Sequence, residues 1–336
     1  MTEAIDYLVC PFTPDLLERF RGHQPSQDAR ESSPIKFPDH FMAGNTVPEY
    51  VGFMDECGIS TSLVASVKFG SITDPQSRLT FDATADEIHA VVEQAPERLR
   101  GLYGINPITR MDGVRELEHA VREYGFVGAY IHPYEFGPIN HRMWYPFFTK
   151  CCELDVPVVV QIGHSGGIHN SSYARPILVD DVACDLPELK FVASHTGWPW
   201  VEELIAAAWK HPNVYIGTAA HMPKYWDASL VRFINTRGQD KVMWGTDIPF
   251  LRRPHDARPT EGTRLARYGR SQVAARERGT SLQALITGTT AQEAEHDALG
   301  RCPGHRLGSG TSGPVRRHAP RRSRRRSHQD RASRHR

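Results

Sequence analysis

The stretch VPVVVQI at residues 156–162 decides the fold, because it is almost entirely apolar and has the length of one β-strand. A second stretch of the same kind, LKFVAS at 189–194, follows further along the chain. Near-continuous apolar runs are typical of parallel strands that are covered by helices on both faces of a sheet. The two stretches therefore predict a parallel sheet in an α/β fold.

Around these two stretches, the first 250 residues alternate short apolar runs with amphipathic segments. Eight runs have strand length, and they lie at 4–9, 60–67, 100–105, 126–131, 156–162, 190–194, 213–217 and 241–245. Eight strand-and-helix units predict a (β/α)8 TIM barrel, a fold that routinely needs about 250 residues.

Helix candidates lie between consecutive strands. Thr46 with Glu49 and Thr84 with Glu87 have capping-box spacing, and the other candidates lie at 113–123, 141–154, 178–184, 200–209 and 228–235. An eighth helix should follow Asp247, but the sequence FLRRPHDARPTEGTRLARYGR has no apolar stripe of helical period. We therefore expect a barrel whose C-terminal closing helix is incomplete or altered.

Composition divides the chain at residue 250. Residues 1–250 hold 20 basic and 32 acidic residues, a net charge of −12. Residues 251–336 hold 20 Arg, no Lys and 7 acidic residues, a net charge of +13. We predict a barrel over 1–250 and an arginine-rich, disordered tail over 251–336, because the end of the chain has too few large apolar residues to offset its ordering entropy.

The arginine bias of the tail favours a frameshift, in which a GC-rich gene is translated out of frame after about residue 250. A shifted frame would enrich arginine and deplete lysine, whereas the alternative, a selected basic arm, would normally admit some lysine. Loss of the true closing helix would leave an apolar seam beside the last strand. Such a seam favours a homo-oligomer or aggregation.

Six cysteines without CxxC spacing, and the lack of a charged and then apolar leader, favour a reduced, cytoplasmic protein. No apolar run approaches the roughly 18 to 20 residues of a membrane span. We therefore expect a protein without a membrane segment.

Three polar residues follow strands at the end where barrel enzymes place their chemistry. His164 follows the fifth strand, His195 the sixth and Asp247 the eighth. Two imidazoles and one carboxylate suit a divalent cation such as zinc, and three protein ligands leave a position for water or substrate. Singly, each residue is more often structural; together they predict a metal site.

The segments QIGHSGG, ASHTGWPWVEELIAAAWKHPNVYIGT and DKVMWGTDIPF resemble the strand 5, 6 and 8 signatures of the amidohydrolase-related family, which includes aminocarboxymuconate-semialdehyde and resorcylate-type decarboxylases. GLYGINP and GFVGAYIHP resemble its strand 3 and strand 4 segments. The resemblance implies a mononuclear divalent metal and hydrolysis or non-oxidative decarboxylation of small, often aromatic acids. It implies that His164 is a metal ligand, that His195 is a base or ligand, and that Asp247 binds metal and takes part in proton transfer.

The first strand departs from that family, whose members usually carry an H-x-H pair there. In IDYLVCPF, the two histidine positions are occupied by Leu8 and Cys10. Leu8 has no ligand atom. Cys10 is a candidate thiolate ligand, although a free cysteine is more often a small buried apolar residue. We therefore expect weaker or altered metal binding.

Three further residues are candidates for contact with substrate. His132 ends the fourth strand and is a candidate polar contact or proton donor, although a structural histidine is equally consistent with the pattern. Trp198 follows His195 and is placed to flank an aromatic substrate. His221 follows the seventh strand, whereas Asp6 lies inside the first strand, where hydrogen bonding within the barrel is its default role.

Three functions are consistent with these features. The first is a metal-dependent hydrolase or decarboxylase acting on a small carboxylated, aromatic substrate. The second is a metal-free barrel that serves as a binding or scaffold protein; loss of the H-x-H pair favours it and retention of His164, His195 and Asp247 opposes it. The third is nucleic-acid binding through the arginine-rich tail, and the lack of aromatic residues after Tyr268 argues against it.

Overall fold

The structure, a computed structural model, describes residues 4–22, 43–70, 79, 81–166 and 169–249. The predicted closing helix, the tail over 251–336 and the seam beside the last strand lie outside these residues. Within the described part of the chain, no helix combines the length and the apolar composition needed to cross a bilayer.

Ten strands are described, and eight of them form one parallel sheet. In chain order the strands are β1 Ala4–Val9, β2 Ile59–Ala65, β3 Lys68–Phe69, β4 Phe81–Asp82, β5 Leu99–Gly104, β6 Gly128–Ile131, β7 Val158–Gln161, β8 Phe191–Ser194, β9 Val214–Gly217 and β10 Val242–Met243. The large sheet has the order β1-β2-β5-β6-β7-β8-β9-β10, and β3 and β4 form a separate antiparallel pair. All eight predicted strands are therefore confirmed, in the neighbour order of a (β/α)8 barrel.

Helices connect consecutive strands of the sheet, as predicted. They are α1 Pro14–Gly22, α2 Val47–Cys57, α3 Ala85–Val92, α4 Met111–Arg122, α5 Tyr145–Glu153, α6 Ile177–Asp185, α7 Val201–Lys210 and α8 Ala228–Ile234. Both predicted capping boxes are present, since Thr46 caps α2 with Glu49 and Thr84 caps α3 with Glu87. Helix α1 and the β3–β4 pair were not predicted from the sequence.

Helix α1 and the β3–β4 pair pack on each other at the carboxyl end of the first two barrel strands. The Phe20 ring of α1 lies 5.4 Å from Phe81 and 5.9 Å from Phe69, centroid to centroid. Arg19 fastens the helix by donating to the Glu87 carboxylate at 2.6 and 3.0 Å and to the Asp82 carbonyl at 2.6 Å. This packing places an aromatic cover beside the end of β1.

Hydrogen bonds join β1 to the segment after β10 and bring the ends of the sheet together. The Cys10 amide donates to the Ile248 carbonyl at 2.8 Å, and the Asp247 amide donates to the Leu8 carbonyl at 3.0 Å. The buried Asp6 carboxylate accepts from the Thr246 amide at 2.9 Å and from the Thr246 hydroxyl at 2.5 Å. Burial raises the pKa of Asp6 to about 7, against the opposing effect of the Thr246 bonds.

Tyr7, also on β1, fills the interior of the barrel and is fully buried. Two glycines leave the space for it. A Cβ at Gly217 would overlap the Tyr7 hydroxyl oxygen, and a Cβ at Gly245 would lie 2.6 Å from a Tyr7 ring carbon. Strand β9 and the segment after β10 are therefore shaped around this tyrosine.

Gly217→Ala should destabilise the fold by about 1–3 kcal/mol, because the added methyl group must displace the Tyr7 ring from a closely packed interior. Gly52→Ala is the matched control: Gly52 lies within α2 and a Cβ there meets no atom within 4 Å, so alanine should stabilise the helix by roughly 0.5–1 kcal/mol. Urea denaturation of both variants measures the two changes. Equal effects would mean that Tyr7 does not constrain Gly217.

Candidate active site

The three predicted site residues lie at the carboxyl-end mouth of the barrel. His164 follows β7, His195 follows β8 directly, and Asp247 follows β10. The parallel arrangement of these strands puts their carboxyl ends at one edge of the barrel, which is where barrel enzymes hold their catalytic residues.

His195 and Asp247 form a pair. The His195 Nε2 atom lies 3.4 Å from Asp247 Oδ2, and both side chains are well shielded, with exposed fractions of 14% and 5%. The other carboxylate oxygen, Asp247 Oδ1, accepts a hydrogen bond from the Cys10 thiol at 3.3 Å. Burial, and then the charge of Asp247, raise the pKa of Cys10 well above its ordinary value, so the thiol keeps its proton and serves as a donor.

The backbone of this pair is strained. His195 has φ 66°, the following Thr196 has φ 56°, and Asp247 has φ 62°. A residue with a side chain in this left-handed region costs of order 1–3 kcal/mol, and such residues are concentrated at functional sites. Both members of the pair are thus held in unfavourable conformations, which points to a function for their placement.

His164 does not join the pair in a compact group. Its Nδ1 atom lies 3.0 Å from the Ser171 hydroxyl, and its ring lies edge-on to Trp198 with the centroids 5.6 Å apart. Among the described residues, one set of three potential metal ligands has all its ligand atoms within 4.8 Å of one another. It consists of Asp180 and Cys184 on α6 and His211 directly after α7. A metal site formed by His164, His195 and Asp247 therefore stays a prediction.

The donor set at the mouth nevertheless suits a divalent cation. His164 and His195 offer imidazole nitrogens and Asp247 offers carboxylate oxygens, which is a ligand set that zinc and similar ions accept. Leu8 is buried and offers no ligand atom, and the Cys10 thiol is engaged with Asp247. The residues present fit a metal, but with fewer ligands than an H-x-H strand would supply.

His221 lies near His195, with the two ring centroids 6.4 Å apart. Its Nδ1 atom lies 2.9 Å from the Thr196 hydroxyl. Burial, and then the neighbouring His195, lower the pKa of His221 to about 4. His221 is therefore a neutral side chain at physiological pH.

His132 is held by a carboxylate. Its Nδ1 atom lies 2.6 Å from Glu135, whose second oxygen lies 3.2 Å from His169. The Phe69 ring lies edge-on to His132 at 4.6 Å. Phe69 also lines a small apolar pocket together with Cys10, Phe20 and other residues, so this side of the mouth is apolar next to the Cys10–Asp247 contact.

A chain of two hydroxyl groups that ends at His195 Nδ1 was not predicted from the sequence. The Tyr7 hydroxyl lies 2.6 Å from Ser194 Oγ and accepts from the Ala219 amide at 3.1 Å, and Ser194 Oγ lies 2.7 Å from His195 Nδ1. Tyr7 and Ser194 are 187 positions apart in the chain. The one local signal was the tyrosine beside Asp6 in the first strand.

Comparison with known proteins supports the resemblance. A family model described as Amidohydrolase matches residues 71–291. This match extends past residue 250, the predicted boundary between barrel and tail, which stays a prediction.

Two curated proteins and one solved structure illustrate the similarity. The chain is 29% identical over 130 residues to a 2-keto-4-carboxy-3-hexenedioate hydratase of Sphingobium, a match that covers 33% of this chain and 38% of the hydratase. It is 24% identical over 280 residues to a gamma-resorcylate decarboxylase of Polaromonas, covering 66% of this chain and 83% of that enzyme. The structure of a 5-carboxyvanillate decarboxylase of Novosphingobium aromaticivorans, with bound manganese, superposes with a TM-score of 0.59 at 14% identity, covering 80% of this chain and 94% of that one. This last similarity confirms the barrel fold.

The stability of the fold should fall as the pH is lowered from about 6.5 through 4, in part because of His221. The unfolded histidine binds a proton near pH 6.5, whereas the folded one does so only near 4, so the unfolded state takes up the proton first. This effect is on the order of 3 kcal/mol. Chemical denaturation at several pH values should give a shallower slope for His221→Gln than for the wild-type chain; equal slopes would contradict the assignment.

Proposed function

Because the chain belongs to the amidohydrolase family, we propose that it is a metal-dependent enzyme that removes a carboxyl group, without oxidation, from a small aromatic carboxylate. The observation that carries the proposal is the shielded His195–Asp247 pair at the barrel mouth. An imidazole beside a carboxylate is a group that can hold a proton and deliver it to a substrate.

The reaction requires such a proton. When the bond between the ring carbon and the carboxyl carbon breaks, the electron pair stays on the ring carbon and carbon dioxide leaves. A proton must then reach that carbon, so that one hydrogen replaces the carboxyl group. In this proposal the His195–Asp247 pair holds the proton and delivers it, and the pair regains a proton from water before the next cycle.

His164 and Asp247 are the residues that would hold the divalent cation, whereas His195, predicted as a base or a ligand, serves as the base in this proposal. When bound, the cation would polarise the oxygens of the substrate as a Lewis acid. Zinc is the ion that the ligand set first suggested, and manganese is the ion bound in the structurally similar 5-carboxyvanillate decarboxylase. We therefore broaden the proposal from zinc to a divalent cation of this kind.

The surroundings of the pair suit a flat, apolar substrate with an anionic group. Trp198 is 50% exposed beside His164 and offers a ring face for stacking. The pocket beside Cys10 is lined by apolar side chains. His132, held by Glu135, and the neutral His221 are candidates for polar contacts with the substrate.

Hydration or hydrolysis is the second candidate, because the Sphingobium relative is a hydratase. The same His195–Asp247 pair would then activate a water molecule instead of protonating carbon. The comparisons do not favour the earlier alternative of a metal-free scaffold, because the similar proteins are a hydratase and a decarboxylase.

His195→Asn and Asp247→Asn should each lower kcat by about 10²- to 10⁴-fold, because each removes a member of the proton-transfer pair. The assay incubates the full chain, supplied with manganese or zinc, with a panel of hydroxybenzoates and measures the release of carbon dioxide. Asp180→Asn is the control, since Asp180 lies on the outer helix α6, where it pairs with Lys210 and His211. Turnover that is equal in all these variants, or lacking for every substrate in the wild-type chain, would refute the decarboxylase proposal.

Leu8→His combined with Cys10→His should tighten manganese binding by about tenfold or more, because it adds two imidazole ligands beside Asp247. Isothermal titration calorimetry with manganese alone measures the affinity. Cys57→His, which places a histidine at the end of α2, should leave it unchanged. If the double variant binds no more tightly than the wild-type chain, Leu8 and Cys10 do not occupy the ligand positions.

A further inference from the structure

The hydrogen bonds behind His195 form one chain whose proton directions can be worked out. The Ala219 amide can only donate, so it occupies the oxygen of Tyr7 as an acceptor at 3.1 Å. Burial raises the pKa of Tyr7 above its ordinary value, so the phenol keeps its own proton. That proton needs an acceptor, and within the described residues the remaining partner of the hydroxyl is Ser194 Oγ at 2.6 Å.

Ser194 continues the same donor-to-acceptor direction toward His195. Since Ser194 Oγ accepts from Tyr7, its own proton is free to be donated to His195 Nδ1, 2.7 Å away. If His195 Nδ1 donated to the serine and the serine donated to Tyr7, the buried Tyr7 proton would have no partner in the described part of the chain. If Ser194 Oγ accepted from both Tyr7 and His195, the proton of the buried serine would itself have no partner there. Buried donors without an acceptor are rare in folded proteins.

A neutral imidazole carries one proton, and a nitrogen that accepts a hydrogen bond does not carry it. With Nδ1 as the acceptor, the proton of neutral His195 lies on Nε2, the atom that is 3.4 Å from Asp247 Oδ2. We propose that Tyr7 and Ser194 are positioning residues that hold His195 as the Nε2-protonated tautomer, with its proton facing Asp247. The value of this tautomer for catalysis rests on the proposed function, whereas the tautomer itself does not.

The packing around Tyr7 and Ser194 fixes the positions of both hydroxyl groups. Tyr7 is fully buried, and Gly217 and Gly245 leave the room for its ring. Ser194 is also fully buried and precedes the strained His195. The rotation of the His195 ring is therefore set by Ser194, which is in turn held by Tyr7 of β1.

Nitrogen-15 NMR of the full chain, labelled in its histidine rings, tests the tautomer, because it distinguishes a ring nitrogen that carries a proton from one that does not. The spectra are recorded at about pH 8.5, where an ordinary histidine with a pKa of about 6.5 is neutral. The signals of His195 are those missing from His195→Gln. We expect a protonated Nε2 and an unprotonated Nδ1 in the wild-type chain.

Tyr7→Phe and Ser194→Ala should shift His195 toward the Nδ1-protonated tautomer, with the larger shift in Ser194→Ala, which removes the direct donor. Tyr50→Phe is the matched control, because it deletes another buried tyrosine hydroxyl that donates to a serine, Ser62, at 3.1 Å; it should leave the His195 signals unchanged. The proposal is overturned if wild-type His195 is protonated on Nδ1, or if neither variant moves the tautomer. Because Tyr7→Phe retains the aromatic ring, it still tests the proposal if Ser194→Ala does not fold.

Kinetic measurements separate this proposal from the proposed function. On a substrate that the wild-type chain decarboxylates, Tyr7→Phe should lower kcat by about tenfold with KM changed less than about twofold, as expected for a weakened proton donor. The expected tautomer without any decarboxylation would support the positioning role and refute the proposed function. Decarboxylation by the wild-type chain, together with an unchanged His195 tautomer in both variants, would support the proposed function and refute the positioning role.

Discussion

The hydrogen bonds between β1 and the segment after β10 hold the two ends of the sheet together, and the candidate site lies directly on that junction. The buried Asp6 carboxylate accepts hydrogen bonds from the amide and the hydroxyl of Thr246. The backbones of Leu8 and Cys10 then pair with Asp247 and Ile248. Burying a carboxylate is costly unless it is hydrogen-bonded, and here the bonds that compensate for this cost also set the position of Asp247.

Tyr7 couples the interior packing of the barrel to the same site. Its ring occupies the space left by two glycines, and its hydroxyl reaches Ser194, the last residue of the strand that precedes His195. In most barrels the interior side chains contribute stability, and the residues at the strand ends contribute chemistry. One tyrosine belongs to both groups here, since it packs in the interior and hydrogen-bonds to Ser194, the residue that contacts the His195 ring.

The sequence was sufficient to predict the strands, the connecting helices and the two capping boxes, because apolar periodicity and local capping bonds determine them. It also predicted that His195 and Asp247 follow strand ends, which is where the structure places them, whereas their roles stay predictions. It did not identify α1, which depends on the packing of Phe20 against Phe69 and Phe81. Nor did it identify the partners of His164 and Tyr7, because Ser171 lies in a loop and Ser194 is 187 positions from Tyr7.

Although Leu8 and Cys10 occupy the positions predicted for the H-x-H pair, the mouth of the barrel still holds polar side chains in contact with one another. Cys10 stands at one of the two positions predicted for that pair, and its thiol donates to Asp247 and thereby satisfies one carboxylate oxygen. His195 and Asp247 still adopt left-handed backbone conformations, and each costs stability that a scaffold would gain by relaxing. A protein that needed only the barrel shape would have no reason to retain this strain beside a shielded imidazole and carboxylate. The retained strain therefore favours chemistry at the pair over a purely structural barrel.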